Sequence, residues 1–236
     1  MNNKIIGSIL GVLASATLLP ATVAHAAGAR PERPNSLRIG YYFVSYNVNG
    51  TDLAGPFTTP GLKADLKKVQ TPYFAYVRQW TTHFQTEFAF GIPPKTTAVG
   101  KGPAHVGSVP FDGQELLTSK WFSPTLLFNW VFFDETSRWR PYLGVGINHT
   151  RFNERRIAPS GEAIIGGPTT IELSNSTGLA ATAGIAWHLK DAWNVYASYS
   201  GSNVVSDLRA TTAGIVRTSH IDFNPRTVVI SFGYSF

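Results

Sequence analysis

The sequence predicts an all-β fold, namely an eight-stranded antiparallel transmembrane β-barrel with short periplasmic turns and long extracellular loops. Three observations predict it. Large apolar residues recur at every second position in several segments, which is the period of a β-strand with two different faces. Short turns alternate with long segments rich in Gly, Pro and Thr. The faces opposite the apolar residues are mostly small and uncharged, as suits the inside of a narrow barrel.

The N-terminus predicts a secretory signal peptide over residues 1–26. Lys4 supplies the positive charge, residues 5–19 form an uncharged and largely apolar segment, and Ala24-His25-Ala26 fits a cleavage site of small residues. The apolar segment is shorter than the roughly 20 residues that a transmembrane helix needs. We therefore expect cleavage after Ala26 and a mature outer-membrane barrel of residues 27–236.

Composition excludes several classes of protein. The 236 residues contain no cysteine, so thiol nucleophiles, thiolate metal sites and disulfides are excluded. The net charge of +6 is modest and contains no long block of like charges, so we expect no nucleic-acid partner. The histidines after the signal peptide lack paired spacing, so we expect no metal site and no cofactor.

Eight segments of the mature chain carry the strand pattern. The last is the plainest, because large apolar residues from Val228 to Phe236 alternate with small or polar ones. The other predicted strands cover 36–48, 69–80, 84–91, 124–132, 142–149, 178–188 and 193–200. The predicted short turns are 81–83, 134–139 and 190–192, and the predicted long loops are 49–68, 93–119, 152–173 and 207–217. In an outer-membrane barrel the long loops face outside the cell.

A soluble β-sandwich is the alternative fold that also alternates. It would carry charged residues on its outward faces, whereas the faces in question here are mostly Gly, Ala, Ser, Thr and Asn. Tryptophan placement also favours the barrel. Trp80, Trp139, Trp187 and Trp193 lie near short turns and Trp121 near a long loop, which predicts two aromatic girdles. We expect a bacterial outer-membrane location, in contact with membrane lipid and lipopolysaccharide.

Residues 123–130 read S-P-T-L-L-F-N-W, and residues 140–150 read R-P-Y-L-G-V-G-I-N-H-T. These blocks resemble the P-T-L-x-x-x-W and R-P-Y-x-G-x-G-x-N-Y-T strands of the OmpW family of Gram-negative outer-membrane proteins, with His149 where tyrosine is usual. The ending Gly233-Tyr234-Ser235-Phe236 resembles the G-Y-x-F terminus that the barrel-insertion machinery recognises, which makes Tyr234 and Phe236 the expected insertion signal. The resemblance implies a narrow barrel with an apolar interior, implicated in uptake of small hydrophobic molecules.

An ion pair is predicted inside the barrel. Counting the register across the turn at 81–83 places Arg78 opposite Glu87, on the inner faces of their strands. An arginine that faces lipid near the midplane costs about 2–4 kcal/mol, so we expect both side chains to point into the lumen and pair. Such a pair would brace and close the periplasmic half of the barrel, which opposes a continuous water channel.

Apolar side chains on the predicted inner face indicate a hydrophobic passage toward the outer half of the barrel, with simple core filling as the alternative. These side chains are Tyr42, Phe74, Tyr76, Leu127 and Val131, together with Val44 and Tyr46. The long loops add apolar surface at Phe57, Leu62, Ile164 and Ile165. We hypothesise that a small hydrophobic solute enters between these loops and leaves sideways into the membrane, because the ion pair blocks the axial route.

Two other functions are compatible with the sequence. A lipid-modifying barrel enzyme needs a nucleophile beside a base, and the closest cluster is Ser219-His220-Ile221-Asp222. Adjacent residues of a strand point to opposite faces, so Ser219 and His220 are poorly placed to pair, and we predict that the protein is not an enzyme. A surface receptor or structural barrel without transport would use the long loops alone.

Overall fold

The computed structural model describes residues 32–103 and 105–236. The predicted signal peptide and its cleavage site after Ala26 lie outside these residues. Most of the described chain is β-structure. In these two stretches, no helix is both long and apolar enough to cross a membrane.

The elements follow one another in a simple order along the chain. The strands are β1 (Asn35–Tyr46), β2 (Asn49–Gly50), β3 (Lys63–Leu66), β4 (Val69–Gln79), β5 (Phe84–Gly91), β6 (Lys95–Lys101), β7 (His105–Val106), β8 (Val109–Pro110), β9 (Glu115–Phe122), β10 (Thr125–Val131), β11 (Trp139–Ile157), β12 (Thr169–Leu173), β13 (Ser176–Lys190), β14 (Trp193–Ser202), β15 (Val205–Thr212), β16 (Ile215–Asp222) and β17 (Pro225–Ser235). The helix α1 (Pro159–Ile165) lies between β11 and β12.

Eight of these strands close a barrel. Each is antiparallel to its neighbour in the order β1, β4, β5, β10, β11, β13, β14 and β17, and β17 pairs with β1 to complete the ring. They correspond one for one to the eight predicted segments, so the predicted fold class is confirmed. Closure leaves no unpaired edge, which lets a β-sheet sit in lipid with its backbone hydrogen bonds made internally.

The segments predicted as long loops contain strands of their own. β3, β6 and β9 pair in a row, and β9 continues the wall by pairing with the outer part of β11. β12, β15, β16 and β2 form a second sheet. Local sequence does not show these strands, because they lack the row of large lipid-facing apolar residues that marks a membrane-spanning strand, and most of them pair with segments distant in sequence. The barrel wall therefore extends beyond the predicted membrane-spanning segments on the outer side.

The two faces of the barrel differ sharply in chemistry. The outward positions of the closing strands are large and apolar, and they include Leu37, Ile39, Tyr41, Phe43, Phe88, Phe128, Val145, Ile147, Leu179, Ile230 and Phe232. Near the short turns the rings of Trp139 and Trp187 stack with centroids 4.9 Å apart, and Trp193 packs on Tyr234 at 5.1 Å. These pairs form the aromatic girdle predicted at the periplasmic membrane interface.

Candidate functional site in the barrel lumen

A buried ion pair crosses the periplasmic half of the lumen. Nη1 of Arg38 on β1 lies 2.9 Å from Oε2 of Glu87 on β5, and both side chains are almost fully buried. The hydroxyl of Tyr73 donates to Oε1 of Glu87 at 2.6 Å, and Nδ2 of Asn129 donates to Oε2 at 3.1 Å. The carboxylate therefore accepts hydrogen bonds from three different strands, which makes this layer a rigid crosslink of the barrel.

Two tyrosines fill the space around the Arg38 guanidinium. Cζ of Arg38 lies 3.6 Å from the ring centroid of Tyr196 and 5.9 Å from that of Tyr142, and both distances are within the range of cation–π attraction. The Tyr142 ring occupies the place where a side chain at Gly184 would stand. Glycine is therefore needed at this inward position, and the large rings and the ion pair together close the axial route.

The predicted partner of Glu87 is wrong. The β4–β5 hairpin pairs Val77 with Glu87 and Arg78 with Thr86, one residue out of the predicted register, because the turn closes with the backbone N–H of Trp80 donating to the carbonyl oxygen of Phe84. A shift of one residue moves every side chain of a strand to the opposite face. Arg78 consequently lies at the periplasmic rim, where Nη1 donates to Oδ1 of Asn35 at 2.8 Å.

The same shift places two of the predicted passage residues on the outside of the barrel, so their prediction is wrong. Phe74 and Tyr76 lie on the lipid-facing side of β4, where Phe74 packs on Phe90 with ring centroids 5.8 Å apart and Tyr76 is exposed. Tyr73, Ala75 and Val77 take the inward positions instead, and all three are buried. Tyr73, Ala75 and Val77 pair with Gly91, Ala89 and Glu87 of β5, respectively.

Arg38 and Asn129 contact Glu87 in the candidate site, and the sequence prediction missed both. The sequence contains an indication for Arg38. It lies four residues before Tyr42 on β1 and therefore on the same face, and Tyr42 is predicted to point into the barrel. Asn129 likewise lies on the same face of β10 as Leu127 and Val131, both predicted to face inward. Polar residues at inward positions of a narrow barrel are the candidate partners of Glu87, and both residues meet this criterion.

An apolar layer lies on the outer side of the ion pair. Tyr42 and Leu127, both predicted passage residues, are buried there, and Tyr42 packs with Val44, Tyr73 and other buried residues. A cavity of about 100 Å³ opens in this layer, with Glu87, Leu127 and Tyr42 among its lining residues. Val131 is also buried and inward, but it lies at the periplasmic end, beyond Asn129, and not in the outer half.

Trp121 separates this small cavity from a larger one. Its ring stacks on Tyr42 with centroids 6.3 Å apart, and its Nε1 donates to Oγ1 of Thr96 at 2.8 Å. Trp121 lines both cavities. The predicted place in an outer aromatic girdle is wrong for this residue, because β9 belongs to the outer extension and pairs Trp121 with the inward-facing Phe152.

The larger cavity lies within the outer extension of the barrel and has a volume of about 540 Å³. Its wall includes a buried apolar cluster of Phe152, Ile171, Leu173, Val204, Ala210, Ile221 and Phe223. The structure also places the loop residues Phe57, Leu62, Ile164 and Ile165 in this lining. The volume and apolar character are those of a site for a small ligand. We call it the upper cavity, and the 100 Å³ space below Trp121 the lower cavity.

The barrel wall is interrupted beside the lower cavity. The β5–β10 ladder ends at the pair Ala89–Thr125, and the next pair across this seam is Lys95–Lys120. Residues 90–94 and 121–124 therefore face each other without a ladder pair in the described chain. Their sequences contain three prolines, Pro93, Pro94 and Pro124, which lack the N–H group that a ladder needs. We call this interruption the wall gap.

The cluster around His220 does not assemble a nucleophile and a base. Nδ1 of His220 lies 2.7 Å from Oδ1 of Asp207, on the exposed side of the outer sheet. Ser219 lines the upper cavity, and its hydroxyl donates to the carbonyl oxygen of Thr51 at 2.8 Å. Ser219 and His220 thus lie on opposite faces of β16, as the alternation of a strand requires.

The closed barrel, its apolar exterior and its periplasmic girdle define an integral β-barrel of the bacterial outer membrane. Residues 105–236 match the family model described as the OmpW family, and the chain belongs to this family. The match includes both blocks and the C-terminal ending that carried the sequence resemblance. The outer-membrane location predicted from the sequence is thereby confirmed.

Curated relatives and solved structures agree with this assignment. The chain is 29% identical over 118 residues to outer membrane protein W of Vibrio cholerae serotype O1, covering 50% of this chain and 54% of that one. It is 27% identical over 122 residues to outer membrane protein W of Escherichia coli K12, covering 52% and 57%. The chain thus spans about half the length of the curated relatives it matches. These relatives are named as outer-membrane proteins and not as enzymes.

Two solved structures share the fold over most of the chain. The outer membrane protein OprG from Pseudomonas aeruginosa gives a TM-score of 0.77 at 21% identity, covering 89% of this chain and 98% of OprG. The outer membrane protein AlkL, determined in lipid bilayers, gives a TM-score of 0.62 at 16% identity, covering 94% and 96%. Both likenesses establish the barrel architecture.

Proposed function

We propose that this protein takes up small hydrophobic molecules and releases them sideways into the outer membrane. The solute enters the upper cavity, passes Trp121 into the lower cavity, and leaves through the wall gap. One observation carries the proposal: the lower cavity is closed below by Glu87 and is lined at its side by Phe90, a residue of the lipid-facing surface. The apolar space within the barrel therefore reaches toward lipid at the point where the ladder is interrupted.

Energetics favour the sideways route over the axial one. An axial path requires the solute to separate Arg38 from Glu87, and breaking a buried ion pair costs about 3–5 kcal/mol. A path through the wall gap breaks no ladder pair of the described chain. Each methylene group that moves from water to an apolar environment gains about 0.8 kcal/mol, so a solute kept among apolar walls loses little of this gain on its way to lipid.

Uptake of an apolar solute into cells or liposomes tests the proposal. Leu127 lines the lower cavity, and Leu127→Asp places a charge there, which should reduce the initial uptake rate about tenfold or more. Leu127 pairs with Glu87 across β10 and β5, so an added carboxylate there is repelled by Glu87, and Leu127→Asn supplies an uncharged polar variant. Folding of each variant is checked by the heat-dependent mobility of the barrel on gels.

Gln85 provides the matched control. It is buried on the inner face of β5, on the periplasmic side of Glu87, and it is not among the residues that line the lower cavity. Gln85→Glu should leave uptake unchanged if the solute leaves through the wall gap. Equal losses in both positions would favour an axial route, and unchanged uptake in folded Leu127 variants would refute the proposed passage.

We also propose that the barrel is not an enzyme and that Tyr234 and Phe236 form its insertion signal. The opposite orientations of Ser219 and His220 support the first statement. For the second, both aromatic side chains are exposed, and the backbone N–H of Phe236 donates to the carbonyl oxygen of Asn35 at 2.8 Å. The signal thus lies at the β17–β1 seam, where the two ends of the barrel meet.

A further inference from the structure

The charged residues that line the upper cavity all carry positive charge. They are Lys63, Lys101 and Arg217, and no aspartate or glutamate of the described chain is among the lining residues. Most of the remaining lining is apolar. A site that combines an apolar wall with cations of one sign is complementary to an amphiphile with an anionic head.

The two lysines already have partners. Nζ of Lys63 lies 3.6 Å from Oδ1 of Asp52, and Nζ of Lys101 lies 3.3 Å from Oδ2 of Asp65. Both lysine side chains are more than half exposed. Solvent and neighbouring carboxylates therefore compensate their charges, and neither lysine requires a ligand.

Arg217 differs from both lysines. It is only 7% exposed, its Nε donates to Oγ1 of Thr58 at 3.1 Å, and its Nη1 is buried without a hydrogen-bond partner in the described structure. No carboxylate of the described chain lies within salt-bridge distance of it. A buried guanidinium with unused donors is costly unless an anion compensates its charge.

The position of Arg217 on β16 sets the orientation of such a ligand. From Arg217 onward, every second residue of β16, namely Arg217, Ser219 and Ile221, faces the upper cavity. Phe223, just after the strand, lines it as well. The strand rises about 3.3 Å per residue, so a tail that starts at Arg217 has roughly 20 Å of wall before it passes Phe223. The apolar cluster lies along this path.

From these observations we infer that the upper cavity binds an amphiphile with a single carboxylate head, which pairs with Arg217 while its alkyl tail lies along β16 toward Trp121. The fork of guanidinium donors suits a carboxylate, which accepts two parallel hydrogen bonds. This inference rests on the proposed function, and it names the class of substrate that the upper cavity binds.

Calorimetric titration of the barrel in lipid nanodiscs tests the inference, with empty nanodiscs subtracted. The probes are decanoate, its neutral methyl ester and decyltrimethylammonium, at about pH 8, where a carboxylate is ionised. Decanoate should bind roughly tenfold or more tightly than the ester, since a hydrogen bond to a charged group is worth at least one such factor. The cationic probe should bind most weakly.

Arg217→Gln should abolish the preference for decanoate over the ester, and Arg217→Lys should restore only part of it because the fork is lost. Arg209→Gln is the matched control, since Arg209 is an exposed arginine on the neighbouring strand β15. If Arg217→Gln does not fold, the ¹⁵Nε resonance of Arg217 in the wild-type barrel should shift with decanoate and not with the ester.

The outcomes separate this inference from the proposed function. Equal binding of decanoate and its ester by the wild-type barrel would overturn the anionic site and leave the apolar passage standing. A similar loss of preference in Arg209→Gln would also overturn it, because a general surface charge would then explain the selectivity. Absence of binding by either probe would count against the passage as well.

Discussion

Arg38 and Glu87 meet at 2.9 Å inside the barrel although they are 49 positions apart in sequence and β4 lies between their strands. Their contact joins β1 to β5, and Tyr73 and Asn129 bring β4 and β10 into the same hydrogen-bonded layer. This layer gives the lower cavity a closed floor. The barrel can therefore hold a large apolar space on its outer side without forming a continuous channel.

Breaking this ion pair should strongly destabilise the barrel. Arg38→Met leaves the Glu87 carboxylate buried without its cation, and Glu87→Gln leaves the guanidinium without its anion. We expect each variant to lose about 3–5 kcal/mol of the free energy of unfolding, measured by urea titration in detergent or lipid. The double variant Arg38→Met/Glu87→Gln should lose less than the sum of the two, because neither charge is then left alone. Additive losses would show that the pair is not coupled.

Arg78 should behave quite differently from Arg38. Its guanidinium donates to Asn35 at the periplasmic rim and lies 5.4 Å from the ring centroid of Trp80, where solvent is near. Arg78→Ala is expected to cost less than about 1 kcal/mol of the free energy of unfolding in the same titration. Arg38→Ala serves as the comparison under identical conditions. A loss at Arg78 as large as that at Arg38 would contradict the register of the β4–β5 hairpin.

The contrast between these arginines shows where sequence reasoning succeeds and where it stops. Alternation predicts the strands and their number, because burial in lipid demands an apolar residue at every second position. It also places Glu87, Leu127 and Tyr42 inside the barrel, where the structure has them. The register across a turn is less well determined, since a shift of one residue in the pairing reverses the faces of β4 and leaves Arg38, not Arg78, as the partner of Glu87.

The strands of the outer extension are not predicted by the alternation of apolar residues, for a different reason. These strands lack a row of large lipid-facing apolar residues, and most of them pair with segments far away in the chain, as Trp121 does with Phe152. The upper cavity exists because these pairings extend the barrel wall around Arg217 and the apolar cluster. Single-sequence alternation reports whether a residue suits a strand, but it does not report which distant strand will pair with it.

His220 should titrate at a higher pH than an ordinary histidine. Its hydrogen bond to Asp207 stabilises the protonated imidazole and raises the pKa of His220 above the usual value, and Asp222 adds to this effect. A raised pKa in the folded state means that the contribution to stability is fully present below about pH 6.5 and disappears as the pH rises through the folded pKa. A ¹H–¹³C titration of the histidine side chains measures it directly.

Two variants separate the contributions to this shift. Asp207→Asn should lower the pKa of His220, because it removes the nearer negative charge and replaces the charged hydrogen-bond acceptor with a neutral amide oxygen. Asp222→Asn should lower it less, since Nε2 of His220 lies 3.7 Å from the Asp222 carboxylate. An unchanged titration in Asp207→Asn would show that the two side chains do not interact in the membrane-embedded barrel.

The C-terminal aromatic should matter more for assembly in cells than for the stability of the finished barrel. Phe236 is half exposed on the lipid side, and its backbone hydrogen bonds with Asn35 do not depend on its side chain. Phe236→Ala is therefore expected to reduce the amount of barrel in the outer membrane several-fold, while refolding from urea into lipid vesicles changes the free energy of unfolding by about 1 kcal/mol. Phe232→Ala is the matched control, because it removes an equally exposed ring from the same strand but leaves the terminus intact. If the two variants lower cellular assembly equally, the loss reflects lipid contact, and Phe236 has no separate role as a signal.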